Sequence, residues 1–219
     1  MTGDTAASRP SLPPLTRDGR LVIVARAQRA EDYDRVIDVL VDAGVRSVEV
    51  TLTTPGTFDR LPELIERYRG AADIGVGTVT DIDQLQRAID AGAPYVVTPV
   101  TSAGLVDHAV AAGLPIVPGG LTPTELFASW SRGAAAVKVF PAGQVSPGYA
   151  KDLRGPFPDI QVVPSGGVDL EGTRAWLAAG AVAVSVGGPL LGDAFVGGDL
   201  GALRERTRRF VAVCAGGSA

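Results

Sequence analysis

Eight short β-branched runs recur along the chain from about Arg20, each separated from the next by a segment of helical pattern. They are LVIVARA (21–27), VRSVEVTL (45–52), DIGVGTV (73–79), YVVTP (95–99), LPIVPG (114–119), AAVKVFP (135–141), IQVVPSG (160–166) and VAVSVGG (182–188). The runs are nearly continuous in apolar residues rather than alternating, the pattern of parallel strands covered on both faces. Between them lie segments such as EDYDRVIDVLVDAG and TDIDQLQRAIDAG. Several open on Thr or Asp, whose side-chain oxygen caps exposed N–H groups, and end in Ala-Gly, where glycine supplies a left-handed turn. Eight strands, seven intervening helices and a last helix over about 199–214 count out an α/β chain folded as a (β/α)8 TIM barrel. A doubly wound open sheet is the other arrangement of such units. Against it, no G-x-G-x-x-G follows the first run, where a dinucleotide-binding turn would need it.

The chain has 219 residues, of which 46% are hydrophobic and 20% charged, and a net charge of −4. That is enough chain to bury about 70% of its unfolded surface in a single domain. The small, polar, proline-rich stretch 1–15 reads as a disordered arm, which leaves 16–219 as the barrel. An acidic balance argues against a nucleic-acid partner. No apolar run of 18 residues and no signal peptide appear, so the expectation is a cytoplasmic protein without membrane contact. One cysteine (Cys214) and one histidine (His108) exclude a disulfide framework and any Cys- or multi-His metal site.

In a barrel of this kind the chemistry sits at the C-terminal ends of the strands. Of 20 basic residues only Lys138 and Lys151 are lysine. Lys138 lies within AAAVKVFPA, the most apolar run of all. Burial disfavours an ammonium and favours the free amine that a Schiff-base nucleophile requires; a structural ion pair is the other reading. Glu49 interrupts VRSVEVTL and leaves the same face as Ser47 and Thr51. It is either the partner of that pair or a proton shuttle. Arg26 ends the first run and Thr78 the third. A guanidinium there clamps a carboxylate or phosphate, or forms a salt bridge at the barrel mouth. Glycine pairs 166–167 and 187–188 fall where this fold often binds phosphate, although glycine pairs also serve as plain turns. His108, Trp130, Trp176 and Cys214 fall on helical segments and read as packing residues; Lys151 reads as a surface charge.

Taken together, V-E-V-T-L-T-T-P (48–55), I-G-V-G-T-V-T (74–80), V-T-P (97–99), V-P-G-G-L-T-P-T-E (117–125), V-K-V-F-P-A (137–142), G-P-F-P (155–158) and V-P-S-G-G-V (163–168) resemble, in order, the class I aldolases for 2-keto-3-deoxy-6-phosphogluconate (KDPG) and 4-hydroxy-2-oxoglutarate (KHG). The resemblance implies that Lys138 forms the Schiff base and Glu49 is the general acid/base, with no metal and no other cofactor. It implies that Arg26, Thr78, Pro99, Thr122 and Phe140 bind substrate, that Ser165, Gly166, Gly167, Gly187 and Gly188 hold phosphate, and that the chain is a homotrimer. The implied activity is that of a lyase cleaving KDPG to pyruvate and glyceraldehyde 3-phosphate, or KHG to pyruvate and glyoxylate. A 6-phosphogalactonate-derived or unphosphorylated 2-keto-3-deoxy acid is an alternative substrate, and a phosphate-binding isomerase or synthase without covalent chemistry, or a non-catalytic sensor or scaffold, an alternative class. Two positions depart from the pattern. Thr53 stands where many members have arginine. Pro189 stands where many have serine, which removes a hydroxyl and a backbone N–H together.

Overall fold

The computed structural model describes residues 9–216. Among the described residues nine short strands are interspersed with helices: β1 (Leu21–Ala25), β2 (Ser47–Thr51), β3 (Asp73–Gly77), β4 (Val96–Val97), β5 (Ile116–Val117), β6 (Gly119–Gly120), β7 (Val137–Val139), β8 (Val162–Pro164) and β9 (Val184–Val186). All pair in parallel, six in the order β5-β4-β3-β2-β1-β9 and three in the order β6-β7-β8. A parallel bridge between Ser165 and Ser185 links the second group to β9. The result is an α/β fold built on a curled parallel sheet. The expected fifth strand is divided at Pro118, whose nitrogen has no hydrogen to give a ladder.

Two apolar layers hold it together. Outside, the strands and the helices around them share a large cluster that includes Ile23, Val48, Val50, Leu61, Ile74 and Leu85, each under 2% exposed. Inside the curl lies a smaller cluster of Leu12, Val22, Tyr95, Val97, Val117, Val163 and Ala183. Burial on both faces is why the runs are continuously apolar. The helices start as their sequences require. Asp81 accepts from the Gln84 N–H at 2.8 Å, and Asp169 from that of Gly172 at 2.7 Å.

Of the expected arm 1–15, residues 1–8 lie outside the described residues. The remainder departs from the expectation. A short helix spans Pro14–Gly19, Leu12 is buried in the inner cluster, and the Arg9 guanidinium stacks 3.5 Å from the Trp130 ring. The physical reason is that Leu12 and Thr16 close the end of the inner core remote from the loops that follow the strands. Thr16 Oγ1 lies 2.8 Å from both Ser47 Oγ and Asp73 Oδ2, and Ser47 Oγ lies 2.9 Å from the fully buried Tyr95 hydroxyl. Burial raises the Tyr95 phenol well above its ordinary range, so it stays protonated.

Tyr95 has room because β3 carries glycine opposite it. A Cβ on Gly75 would sit 2.3 Å from Tyr95 Cζ. The ring is enclosed and cannot retreat, so Gly75→Ala should destabilise the protein by roughly 1–3 kcal/mol, the usual cost of overpacking. Urea unfolding with an unchanged m value checks this; a variant as stable as the parent would show that the ring can shift.

Candidate active site

At the loop end of the strands a cleft of about 300 Å³ gathers Arg26, Glu49, Thr78, Pro99, Lys138, Phe140, Ser165, Gly166, Gly167, Gly187, Gly188 and Pro189. These side chains come from β1, β2, β3, β7 and the turns after them, together with the loops after β4, β8 and β9. The curl of a parallel sheet brings the C-terminal ends of distant strands to one place.

On its floor, Lys138 Nζ lies 4.0 Å from Glu49 Oε1, with side-chain exposures of 9% and 2%. The same two residues also bound a cavity of about 20 Å³ beneath, walled by Leu12, Val22, Tyr95, Val97, Val117 and Val163. The amine and the carboxylate therefore stand between an apolar interior and an open cleft. The amine also lies 5.2 Å from the Phe140 ring centre. Glu49 Oε2 is buried without a protein hydrogen-bond partner, which leaves it able to take a proton. Glu49 fits only because β3 has a second glycine: a Cβ on Gly77 would be 1.8 Å from Glu49 Oε1. The G-x-G of β3 is thus a space requirement of Tyr95 and Glu49, which motif reading alone did not explain.

Thr78 follows directly and adopts φ 65°, a left-handed conformation that a β-branched residue rarely holds. Gly166 and Gly167 also have positive φ, 85° and 79°, and a Cβ on Gly166 would press the Phe140 ring at 3.1 Å. Ser165 Oγ donates to Ser185 Oγ at 3.2 Å. Because β1 pairs with β9, Arg26 lies next to Gly188. The guanidinium is exposed and forms no ion pair among the described residues, so the salt-bridge reading of Arg26 does not hold.

Thr122 does not join the cleft. It is exposed and caps the helix Pro123–Trp130 in a reciprocal box, its hydroxyl 2.7 Å from Glu125 Oε2. Those hydrogen bonds hold the Glu125 carboxyl below its ordinary range. The T-P-T-E stretch is a helix start as it stands. Thr53 is also outside the cleft, its hydroxyl donating to Thr51 Oγ1 at 3.1 Å. His108, read from its helical position as a packing residue, instead pairs at the surface with Gln86 of a neighbouring helix at 3.0 Å, away from the cleft. Among the described residues no cluster of His, Cys, Asp and Glu has the arrangement of a metal site, and no helix is long and apolar enough to cross a membrane.

The strain at Thr78 is open to test. Thr78→Gly should raise stability by about 1 kcal/mol, since glycine adopts positive φ freely, and should lower turnover if the threonine serves the cleft. Thermal unfolding and activity measured on one preparation check both signs.

The family described as "Aldolase: KDPG and KHG aldolase" matches residues 14–202. The 2-dehydro-3-deoxy-phosphogluconate aldolase of Pseudomonas aeruginosa is 36% identical over 166 residues, 75% of this chain and 74% of the relative. The 2-dehydro-3-deoxy-6-phosphogalactonate aldolase of Escherichia coli (strain K12) is 32% identical over 171 residues, 78% of this chain and 83% of the relative. A solved structure described as native KDPGal superposes with a TM-score of 0.81 at 29% identity, covering 88% of this chain and 93% of its own. With its sheet, its ordered motifs and these relatives in agreement, the chain belongs to the KDPG and KHG aldolase family.

Proposed function

We propose that this protein is a Schiff-base aldolase that cleaves a 2-keto-3-deoxy sugar acid to pyruvate and an aldehyde. The observation that carries the reading is the buried Lys138 amine on the cleft floor, 4.0 Å from a Glu49 carboxylate whose second oxygen is free. Lys138 attacks the C2 ketone, and loss of water leaves a cationic imine. That cation accepts the electron pair of the C3–C4 bond as Glu49 takes the C4 hydroxyl proton, so the bond breaks without a free carbanion. The aldehyde departs, C3 of the enamine is protonated, and water hydrolyses the imine to release pyruvate and the amine. The imine is the electron sink, and the scheme uses no metal or other cofactor.

Thr78, Pro99 and Phe140 bound the pyruvate end. Ser165, Gly166, Gly167, Gly187 and Gly188, with Arg26 beside them, face the distal anionic end. The phosphogluconate-derived substrate leads, with the phosphogalactonate-derived epimer and KHG behind it; the two curated relatives support both phosphorylated epimers. An unphosphorylated acid is favoured by one observation, that Pro189 brings a ring and no N–H to the loop expected to hold phosphate. In this reading residues 16–219 are one catalytic domain. Its two strand groups are arcs of one closed (β/α)8 barrel interrupted at Pro118, and three copies work as a homotrimer in the cytoplasm.

Lys138→Arg should abolish cleavage, because a guanidinium stays protonated and is no nucleophile. Glu49→Gln should lower turnover by roughly 10²–10⁴-fold, and more than it lowers imine formation with pyruvate. Pyruvate release from each epimeric phosphorylated acid and from an unphosphorylated analogue measures the first; single-turnover imine formation measures the second. A Lys138→Arg variant that still cleaves would refute the mechanism, and equal loss of both rates in Glu49→Gln would reduce Glu49 to a support for the lysine.

A further inference from the structure

The turn after β9 runs directly into a helix of four residues, Gly188–Leu191, and Gly187, Gly188 and Pro189 at its start line the cleft. A helix this short cannot hold itself, because one turn fixes many dihedrals for few hydrogen bonds. Leu190 and Leu191 donate to the Gly187 carbonyl and Gly192 to that of Gly188, which leaves the carbonyls of Leu190 and Leu191 to find partners elsewhere. Packing secures only the far end of the segment. Leu190 and Leu191 are buried, whereas Gly188 and Pro189 are exposed, and Pro189 also borders a second hollow of about 390 Å³ that Leu170, Arg206 and Phe210 help to line. Arg206 supplies the missing hold. From the last helix, Leu200–Cys214, its Nε donates to the Leu190 carbonyl at 2.8 Å and its Nη2 to the Leu191 carbonyl at 3.2 Å. A cation at the carbonyl end of a helix is favoured by the dipole, and both bonds are charge-assisted. Gly192 makes the approach possible, since a Cβ there would stand 3.0 Å from Nη2. In the run RERTRRF (204–210), Arg204 and Arg208 pair with Asp42 and Glu205, so Arg206 is set apart by giving its donors to backbone.

We propose that Arg206 is a positioning residue that locks the Gly187–Gly188–Pro189 turn in the form that meets the distal end of the substrate. The proposal rests on the aldolase reading of the cleft. Arg206 lines the second hollow and not the cleft, so it acts through the backbone it holds. Its guanidinium spans two successive carbonyls and thereby fixes both the pitch and the direction of the short helix that the turn begins. Without it those carbonyls turn to water and the turn shifts, while Glu49 on β2 and Lys138 on β7 keep their places in the sheet. Loss of Arg206 therefore weakens the binding of acids long enough to reach the turn and leaves imine chemistry with pyruvate intact.

The test compares the full-length protein with Arg206→Met and Arg206→Lys. Cleavage is followed with the best cleaved of the two epimeric phosphorylated acids and their unphosphorylated analogue, and deuterium exchange into the pyruvate methyl group is followed in parallel. Arg206→Met should raise KM about tenfold, the worth of one charge-assisted hydrogen bond, and change kcat by less than about twofold, the pattern of lost ground-state binding. Its exchange rate with pyruvate should equal that of the parent. Arg206→Lys keeps the charge and the stem but not the planar fork, and should raise KM by only about threefold. An unchanged KM in both variants overturns the clamp, and so does a parent that exchanges but cleaves none of the three acids. Parallel loss of cleavage and exchange in both variants also overturns it, because Arg206 would then support the whole fold rather than the turn. Absence of exchange in the parent overturns the aldolase reading and the clamp with it.

Discussion

An amine and a carboxylate on the inner face of an all-parallel sheet each lose most of their hydration, and the rest of that face is arranged around them. Desolvation costs several kcal/mol per ion, while the attraction of unit charges 4 Å apart is about 4 kcal/mol at the effective dielectric of a protein. The Lys138–Glu49 pair, with 4.0 Å between Nζ and Oε1, therefore contributes little net stability. Its neighbours explain how it is tolerated. Gly77 leaves the volume that Glu49 fills, Gly75 the volume that Tyr95 fills, and Tyr95 is tied through Ser47 and Thr16 to Asp73. Below the pair the interior is apolar; above it the cleft opens.

Much of this was legible in the sequence because the constraints are local. The apolar runs mark strands buried on two faces. A lysine in the most apolar run of an arginine-rich chain marks the cleft floor, and the run ends mark its walls. What was not legible depends on contacts between distant segments. Leu12 sits in the arm-like stretch 1–15, yet it packs into the inner core, because the open end of a curled sheet needs covering and composition carries no trace of that need. Thr122 sits in a motif shared with the family, yet its capping box with Glu125 occupies the hydroxyl. The strain at Thr78 has no signature in sequence at all, since a threonine after a glycine is unremarkable until its φ of 65° is seen.

The two departures from the family pattern acquire a spatial meaning. Thr53 is occupied with Thr51 outside the cleft, so nothing at that position replaces an arginine. Pro189 lines the cleft on the loop after β9, and Arg26 lies beside that loop, brought there by the pairing of β1 with β9.

The proposed mechanism stands on a covalent bond between Lys138 and the keto acid. Intact mass of the protein after incubation with pyruvate and sodium borohydride, followed by peptide mapping, tests it most directly. A stable gain of about 72 Da, the reductive capture of a pyruvate imine, is expected on the peptide that carries Lys138. No gain, or a gain mapped to Lys151, would contradict it.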